Sequence, residues 1–259
     1  MKDKPSLGVY SFTGCAGCQL AILDCEDQLL DIFSAVNVRV FYEAMSDNDD
    51  EAKVDIALVE GSINTDEQME ELKAVREKAK ILIAFGSCAH HGCVQAMANG
   101  DGKWEERFKK VYGDAEFTVA KPMETRPLHE FVKVDGWIPG CPPGTSQMLK
   151  ALTQLINGSP PTYTNSAVCL ECKFKENECL LNKHIMCLGP LTMGGCGAPC
   201  PSQNMPCVGC WGIIEEANHA SELKKLIEYG FSKEEIIRRF RLFGGSDIVD
   251  KVSELLEAK

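Results

Sequence analysis

Fourteen cysteines occur in this 259-residue chain, and eight fall in one short stretch: Cys169, Cys172, Cys179, Cys187, Cys196, Cys200, Cys207 and Cys210. The spacing reads C-x2-C-x6-C-x7-C, eight further residues, then C-x3-C-x6-C-x2-C. Soft thiolate donors at this density make two four-ligand sets laid end to end. Gly189, Gly194, Gly195, Gly197 and Gly209, with Pro190, Pro199, Pro201 and Pro206, leave little room for regular structure. Such a segment folds around what it binds. The outer pairs, Cys169/Cys172 and Cys207/Cys210, suit zinc knuckles, but the inner spacings do not supply two knuckles per site. Iron–sulfur clusters accept more varied loops, because their irons take ligands from four sides. Spacing therefore favours iron–sulfur clusters, with structural zinc and reactive thiols as the alternatives.

Bulk properties narrow the surroundings. The formal net charge is −11, with 44% hydrophobic and 25% charged residues. That argues against nucleic-acid and anionic-membrane partners, which need a basic face. The longest apolar runs, such as 81–85, are far too short to span a bilayer. The N-terminal residues show no apolar export signal and no twin arginine, so a cytoplasmic location without a membrane anchor is expected. In that compartment cysteines serve as metal ligands rather than disulfides.

The elements that must position a metal site come from the first part of the chain. Residues 6–12, 36–42, 54–60, 81–85 and 131–138 read as strands. Residues 19–33 read as a helix with Leu20, Leu23, Leu30 and Phe33 on its apolar side. Further helices are expected from the Thr65 cap to about 79, after Cys88, and from 143 to about 156. Residues 99–128 look like a polar, irregular insertion. Alternation of this kind predicts an α/β fold, a flavodoxin-like doubly wound parallel sheet, whose ligands sit at the carboxyl ends of the strands. Three of the predicted strands end in cysteine-bearing loops, carrying Cys15 and Cys18, Cys88, and Cys141. These four would meet at one sheet edge as a third ligand set.

The expected organisation is residues 1–158 as the flavodoxin-like domain, 159–214 as a cysteine-rich, mostly irregular iron–sulfur domain, and 215–259 as a helical tail. In the tail, Ser221 and Ser232 look like N-caps, the latter with Glu235 in a capping box, and Gly230 and Gly244-Gly245 like helix stops.

The motif Thr13-Gly14-Cys15-Ala16-Gly17-Cys18-Gln19, with Gly86-Ser87-Cys88-Ala89 and Pro139-Gly140-Cys141-Pro142-Pro143, resembles the proximal-cluster framework of nickel–iron hydrogenase small subunits. The 20 kDa cluster subunit of NADH:ubiquinone oxidoreductase (complex I) shares part of it but lacks the cysteine-rich half. Cys169-x2-Cys172, Cys179 and Cys187-Leu-Gly-Pro-Leu-Thr resemble the distal-cluster segment of hydrogenases, and Cys196 through Pro206-Cys207-Val-Gly-Cys210 the medial one. The resemblance covers about residues 6–214. It implies three [4Fe-4S] clusters: proximal on Cys15, Cys18, Cys88 and Cys141; medial on Cys196, Cys200, Cys207 and Cys210; distal on Cys169, Cys172, Cys179 and Cys187. Cys169 stands where many exported members have histidine, and Cys200 adds a fourth medial cysteine. Both features resemble cytosolic multisubunit members.

What the resemblance implies is an electron-transfer subunit without a catalytic residue of its own. Its partners would be a large subunit carrying the NiFe site and further iron–sulfur or flavin subunits linked to NAD(P), ferredoxin or heterodisulfide. No G-x-G-x-x-G stands at a strand–helix junction, so any nucleotide or flavin would lie on other subunits. Alternatives are a complex I-like or ferredoxin-like relay without hydrogenase activity, and a zinc scaffold protein.

Other residues have simpler readings. Cys25 and Cys93 read as small apolar packing. Glu60 at a strand end is a candidate for a subunit interface or proton path, against a plain acid that is solvated or bonds a backbone amide. His90 and His91 adjoin Cys88 and are candidates for shaping its pocket; His184 lies between two cysteines, whereas His129 and His219 show no ligand spacing. Met193 and Met205 are read as packing over clusters or an interface, and Asp47–Glu51 as a solvated loop.

Overall fold

The computed structural model describes residues 4–100, 102–114 and 122–257. The chain divides into two compact units, Met1–Pro161 and Thr162–Lys259. In the first, strands β1 (Ser6–Ser11), β2 (Asn37–Phe41), β3 (Val54–Glu60), β5 (Ala79–Phe85) and β7 (Gly136–Ile138) form one sheet in the order β2-β1-β3-β5-β7. Every pairing in it is parallel. This is the flavodoxin-like order, with the central strands read as near-continuous apolar runs because both faces are covered.

One face packs Leu7, Val9, Leu58, Ile83 and Phe85 against helices α1 (Gly17–Leu23), α2 (Leu29–Ala35) and α6 (Thr145–Ile156). The other packs Tyr10, Ala57, Val59, Leu82 and Ala84 against Leu72 and Val75 of α3 (Asp66–Lys78) and Ala89 of α4 (Ser87–His91). Thr65 caps α3, its side chain accepting from the Gln68 amide, as expected.

Three elements differ from expectation. The helix predicted over 19–33 is two helices. Between them the chain tightens to i→i+3 bonding, with Gln28 N–H to the Cys25 carbonyl at 2.8 Å, and Glu26 takes a φ of +31°. Apolar residues on either side of the break mimic one stripe. In fact Leu20 and Leu30 are 47% and 78% exposed, and Ala21, Ile22, Cys25 and Ile32 enter the core. The edge strand is only Gly136–Ile138, not 131–138. Asp135 turns in to accept from the Leu82 amide (2.9 Å) and the Arg76 guanidinium (2.5 Å), so strand pairing starts after it. Residues 99–128 are not irregular throughout. Helix α5 (Trp104–Tyr112) aligns Trp104, Phe108 and Tyr112 at i, i+4 and i+8, and β6 (Pro122–Arg126) pairs antiparallel with β4 (Ile63–Thr65).

The second unit has helices α7 (Val168–Phe174), α8 (Pro199–Ser202), α9 (His219–Glu228), α10 (Lys233–Arg241) and α11 (Gly245–Glu257). Leu188 and Leu191 of the cysteine-rich segment share one apolar core with Leu223, Leu226, Ile236, Phe240, Val252 and Leu256. The tail is therefore built onto the segment bearing the cysteines. The Ser232–Glu235 capping box is formed. Ser221 is not a cap; Asn218 is, accepting from the Ser221 amide at 3.0 Å. Among the described residues no helix is long and apolar enough to cross a membrane.

Candidate metal centres

At the carboxyl edge of the sheet, strands β1, β5 and β7 deliver Cys15 and Cys18, Cys88, and Cys141 from their loops. Gly86 has φ +84°, and a Cβ there would lie 2.2 Å from the Cys18 sulfur, so only glycine lets that thiol approach the β5 loop. The Cys15 sulfur lies 3.2 Å from the Cβ position of Gly17, which is itself 3.9 Å from Pro142. Cys18 also lies within electrostatic reach of Cys88 and Cys141. The chain thus gathers the four predicted residues at one edge.

Glu60, the last residue of β3, is buried; its two carboxylate oxygens accept from the amides of Cys18 (3.1 Å) and Gln19 (3.3 Å). It closes the start of α1 from a neighbouring strand, in place of a local cap. Of the two readings for this acid, the geometry is that of an amide-bonded positioning group. Burial foremost, then the Glu60 charge, raises the Cys18 pKa.

Cys93 is a finding beyond the sequence reading. It is wholly buried, as packing requires, yet its one S–H is within hydrogen-bonding reach of both Cys88 and Cys141 and can donate to either. That donation lowers the pKa of Cys88 and brings Cys141 down to about 7. Its only sequence signal is a C-x4-C spacing, which packing explains equally well. Cys25 is plain core, its thiol donating to the Ala21 carbonyl at 3.5 Å. His90 stacks on Trp137 at 4.6 Å, and burial holds its pKa at about 3, so it is a neutral wall of this edge.

In the second unit, Cys169 and Cys172 are one turn apart on α7. With Cys179 and Cys187 they line a hollow of about 100 Å³, closed by Leu180, Pro190 and Pro201. Gly189 forms part of that wall, where a Cβ would lie 3.3 Å from the Cys169 sulfur and 3.5 Å from that of Cys187. His184 is not in the lining; it takes a φ of +55° and lies against Tyr229.

The loop bearing Cys196 is tied down by Glu171, whose oxygens accept from Gly195 N–H (2.8 Å) and Gly197 N–H (3.0 Å). Cys200 is carried on α8. The Cys207 thiol meets Thr192 at 3.5 Å, and its amide donates to the Cys187 sulfur at 3.3 Å. The amides of Gly189, Ala198 and Gly209 each donate to the sulfur two residues before them, Cys187, Cys196 and Cys207. Sequence reasoning missed Glu171 and Thr192, because their partners come together only in the fold. Met193 is buried, whereas Met205 is 61% exposed.

Burial first, then neighbouring thiols, push Cys169 up to about 12; burial pushes Cys207 to about 11. Thiols so placed ionise only against a strong positive centre, which a metal supplies. Among the described residues no three ligand-type side chains converge as a single ion requires. The distal four instead surround a hollow, and sulfur-directed amides are the donors that iron–sulfur centres use. The donor set therefore fits iron–sulfur clusters.

The chain is similar to known proteins. The family described as NADH ubiquinone oxidoreductase, 20 Kd subunit, matches residues 15–155. Sulfhydrogenase 2 subunit delta of Pyrococcus furiosus is 39% identical over 92% of this chain and 98% of its own. A vhu subunit of the F420-non-reducing hydrogenase of Methanocaldococcus jannaschii is 33% identical over 82% of this chain and 83% of its own. Among solved structures, an NAD+-reducing [NiFe]-hydrogenase chain is similar with a TM-score of 0.54 at 29% identity, covering 62% of this chain and 96% of that one. The actinobacterial-type NiFe-hydrogenase of Ralstonia eutropha H16 shares the fold at a TM-score of 0.61 and 14% identity, over 98% of this chain and 90% of that one.

Proposed function

The chain belongs to the family of the NADH ubiquinone oxidoreductase 20 Kd subunit, and on that premise we propose that it is the electron-transfer small subunit of a [NiFe] hydrogenase. It is an oxidoreductase subunit in a reaction of H2, with the NiFe site in a separate large subunit. The relatives that extend through the cysteine-rich half are hydrogenase subunits, which favours this reading over a complex I-like relay. The observation that carries it is the hollow lined by Cys169, Cys172, Cys179 and Cys187, with two further cysteine quartets in the same chain.

When bound, three [4Fe-4S] clusters would supply one-electron acceptance and release. The residues of the chain would do the rest. Cys15, Cys18, Cys88 and Cys141 would hold the proximal cluster, towards the large subunit. Cys196, Cys200, Cys207 and Cys210 would hold the medial one, and Cys169, Cys172, Cys179 and Cys187 the distal one, towards a further redox subunit. Glu60 and Glu171 fix the loops that bear Cys18 and Cys196. The amides of Gly189, Ala198 and Gly209 stabilise charge on the sulfurs and so set potentials. All-cysteine ligation leaves more negative charge than histidine ligation, which suits low-potential partners in the cytoplasm, linked to NAD(P), ferredoxin or a heterodisulfide.

The test is anaerobic affinity purification of the chain from its native source, with metal analysis of what accompanies it. A nickel-containing subunit and H2-dependent bleaching of the cluster absorbance are the expected result. Isolation as a stable, nickel-free partnerless protein would overturn the reading.

A further inference from the structure

Arg239 sits on α10, in the helical tail, and is half-buried. Its Nη2 donates to the carbonyl oxygens of Met186 (3.3 Å) and Cys207 (3.4 Å). One guanidinium therefore bridges the residue before Cys187 and the backbone of Cys207 itself, one ligand from each of two neighbouring sets. Its Nε is buried without a hydrogen-bond partner. Among the described residues no carboxylate forms an ion pair with it. Glu235, one turn earlier, is exposed, forms no ion pair with it, and accepts from the Ser232 amide at 2.8 Å in the capping box.

A guanidinium stays protonated in proteins, so this is a fixed positive charge. A charge drawn half out of water loses part of its hydration, a cost that an opposing charge offsets. Carbonyl oxygens supply dipoles but no counter-charge. The groups of opposite potential charge within its electrostatic reach are the sulfurs of Cys187 and Cys207. Neutral thiols would not balance it; thiolates bound to a metal cluster would.

We propose that Arg239 is the fixed counter-charge of the medial and distal clusters, a positioning residue that holds the Cys187 and Cys207 segments together and raises the potentials of both centres. The proposal rests on the cluster reading above. A positive charge near a cluster favours its reduced form, which carries one more negative charge. Placed between two centres, it would lower the energy of an electron on either.

The experiment is a redox titration followed by electron paramagnetic resonance on the purified complex, with iron analysis, for wild type, R239Q, R239M and R239K. In both neutral variants we expect the oxidised-to-reduced ratio of the medial and distal centres, at a fixed potential, to rise about tenfold. That is about 59 mV lower for a one-electron couple. R239K should restore most of the shift. Loss of medial and distal iron in the neutral variants but not in R239K also supports the proposal, since charge is then what retains them. Unchanged potentials in iron-replete R239Q and R239M overturn this inference alone. Iron loss in all three variants overturns it as well, since shape rather than charge is then required. A wild-type complex in which this chain carries no iron overturns both this inference and the cluster reading.

Discussion

The backbone amide of Cys207 donates to the sulfur of Cys187 at 3.3 Å. The two residues belong to different predicted ligand sets, and Leu188 N–H returns a bond to the Cys207 carbonyl at 3.0 Å. The two sets are thus stitched by a two-bond ladder, and a sulfur of one is polarised by the backbone of the other. Cys187→Ser should remove about four irons and also disturb the magnetic signal of the medial centre, which keeps all its own cysteines. Iron analysis with electron paramagnetic resonance checks both. A medial signal identical to wild type would contradict the coupling.

Gly86 carries the closest backbone approach at the proximal edge. Gly86→Ala adds a Cβ 2.2 Å from the Cys18 sulfur at a φ of +84°. The expected outcome is loss of about four irons and destabilisation of about 1–3 kcal/mol from strain. Iron content and thermal unfolding of the purified chain report the two effects. Full iron retention with an unchanged melting temperature would contradict the requirement for glycine.

Cys93 is within hydrogen-bonding reach of both Cys88 and Cys141 without being one of the quartet. Cys93→Ser keeps a donor of similar size, so the iron count should be unchanged. Cys88→Ser should remove the proximal cluster and abolish hydrogen oxidation. Parallel iron and activity measurements on the two variants separate a ligand from its neighbour. Loss of about four irons in the Cys93 variant would make Cys93 the ligand instead.

Asp55 ties the start of β3 to β1. Its carboxylate accepts from Ser6 N–H and Ser6 Oγ, each at 2.7 Å, and pairs with Lys80. The Lys80 bond first, then those from Ser6, lower its pKa to about 2. A pKa below the ordinary carboxylate value of about 3.9 means stability present above pH about 4 and lost as pH falls towards 2. The Lys80 end of the pair is largely exposed, so screening leaves about 1 kcal/mol. Asp55→Asn should cost that amount at pH 6 and much less at pH 2, as read by urea unfolding. A cost independent of pH would show that the charge is not involved.

Much of this was legible in the chain alone, for identifiable reasons. The buried parallel strands read clearly because the Val54–Glu60 run is apolar on both faces. Three cysteine loops at strand ends then pointed to one edge. The edge strand was misread because Phe131, Val132 and Val134 are apolar for packing rather than pairing. The helix break at Cys25–Glu26 does not show in the pattern, since apolar residues on either side of the polar stretch 24–28 keep a helical spacing. Glu60, Glu171, Thr192 and Arg239 all act on residues more than ten positions away. Such partners follow from the approach of segments in space, and no local spacing encodes them.

The central claim, that this chain holds three four-iron clusters on twelve cysteines, is tested most directly by iron and acid-labile sulfide analysis of anaerobically purified protein. About twelve irons and about twelve sulfides per chain are expected, as three cubanes require. Near-zero iron with about two or three zinc ions per chain would contradict it.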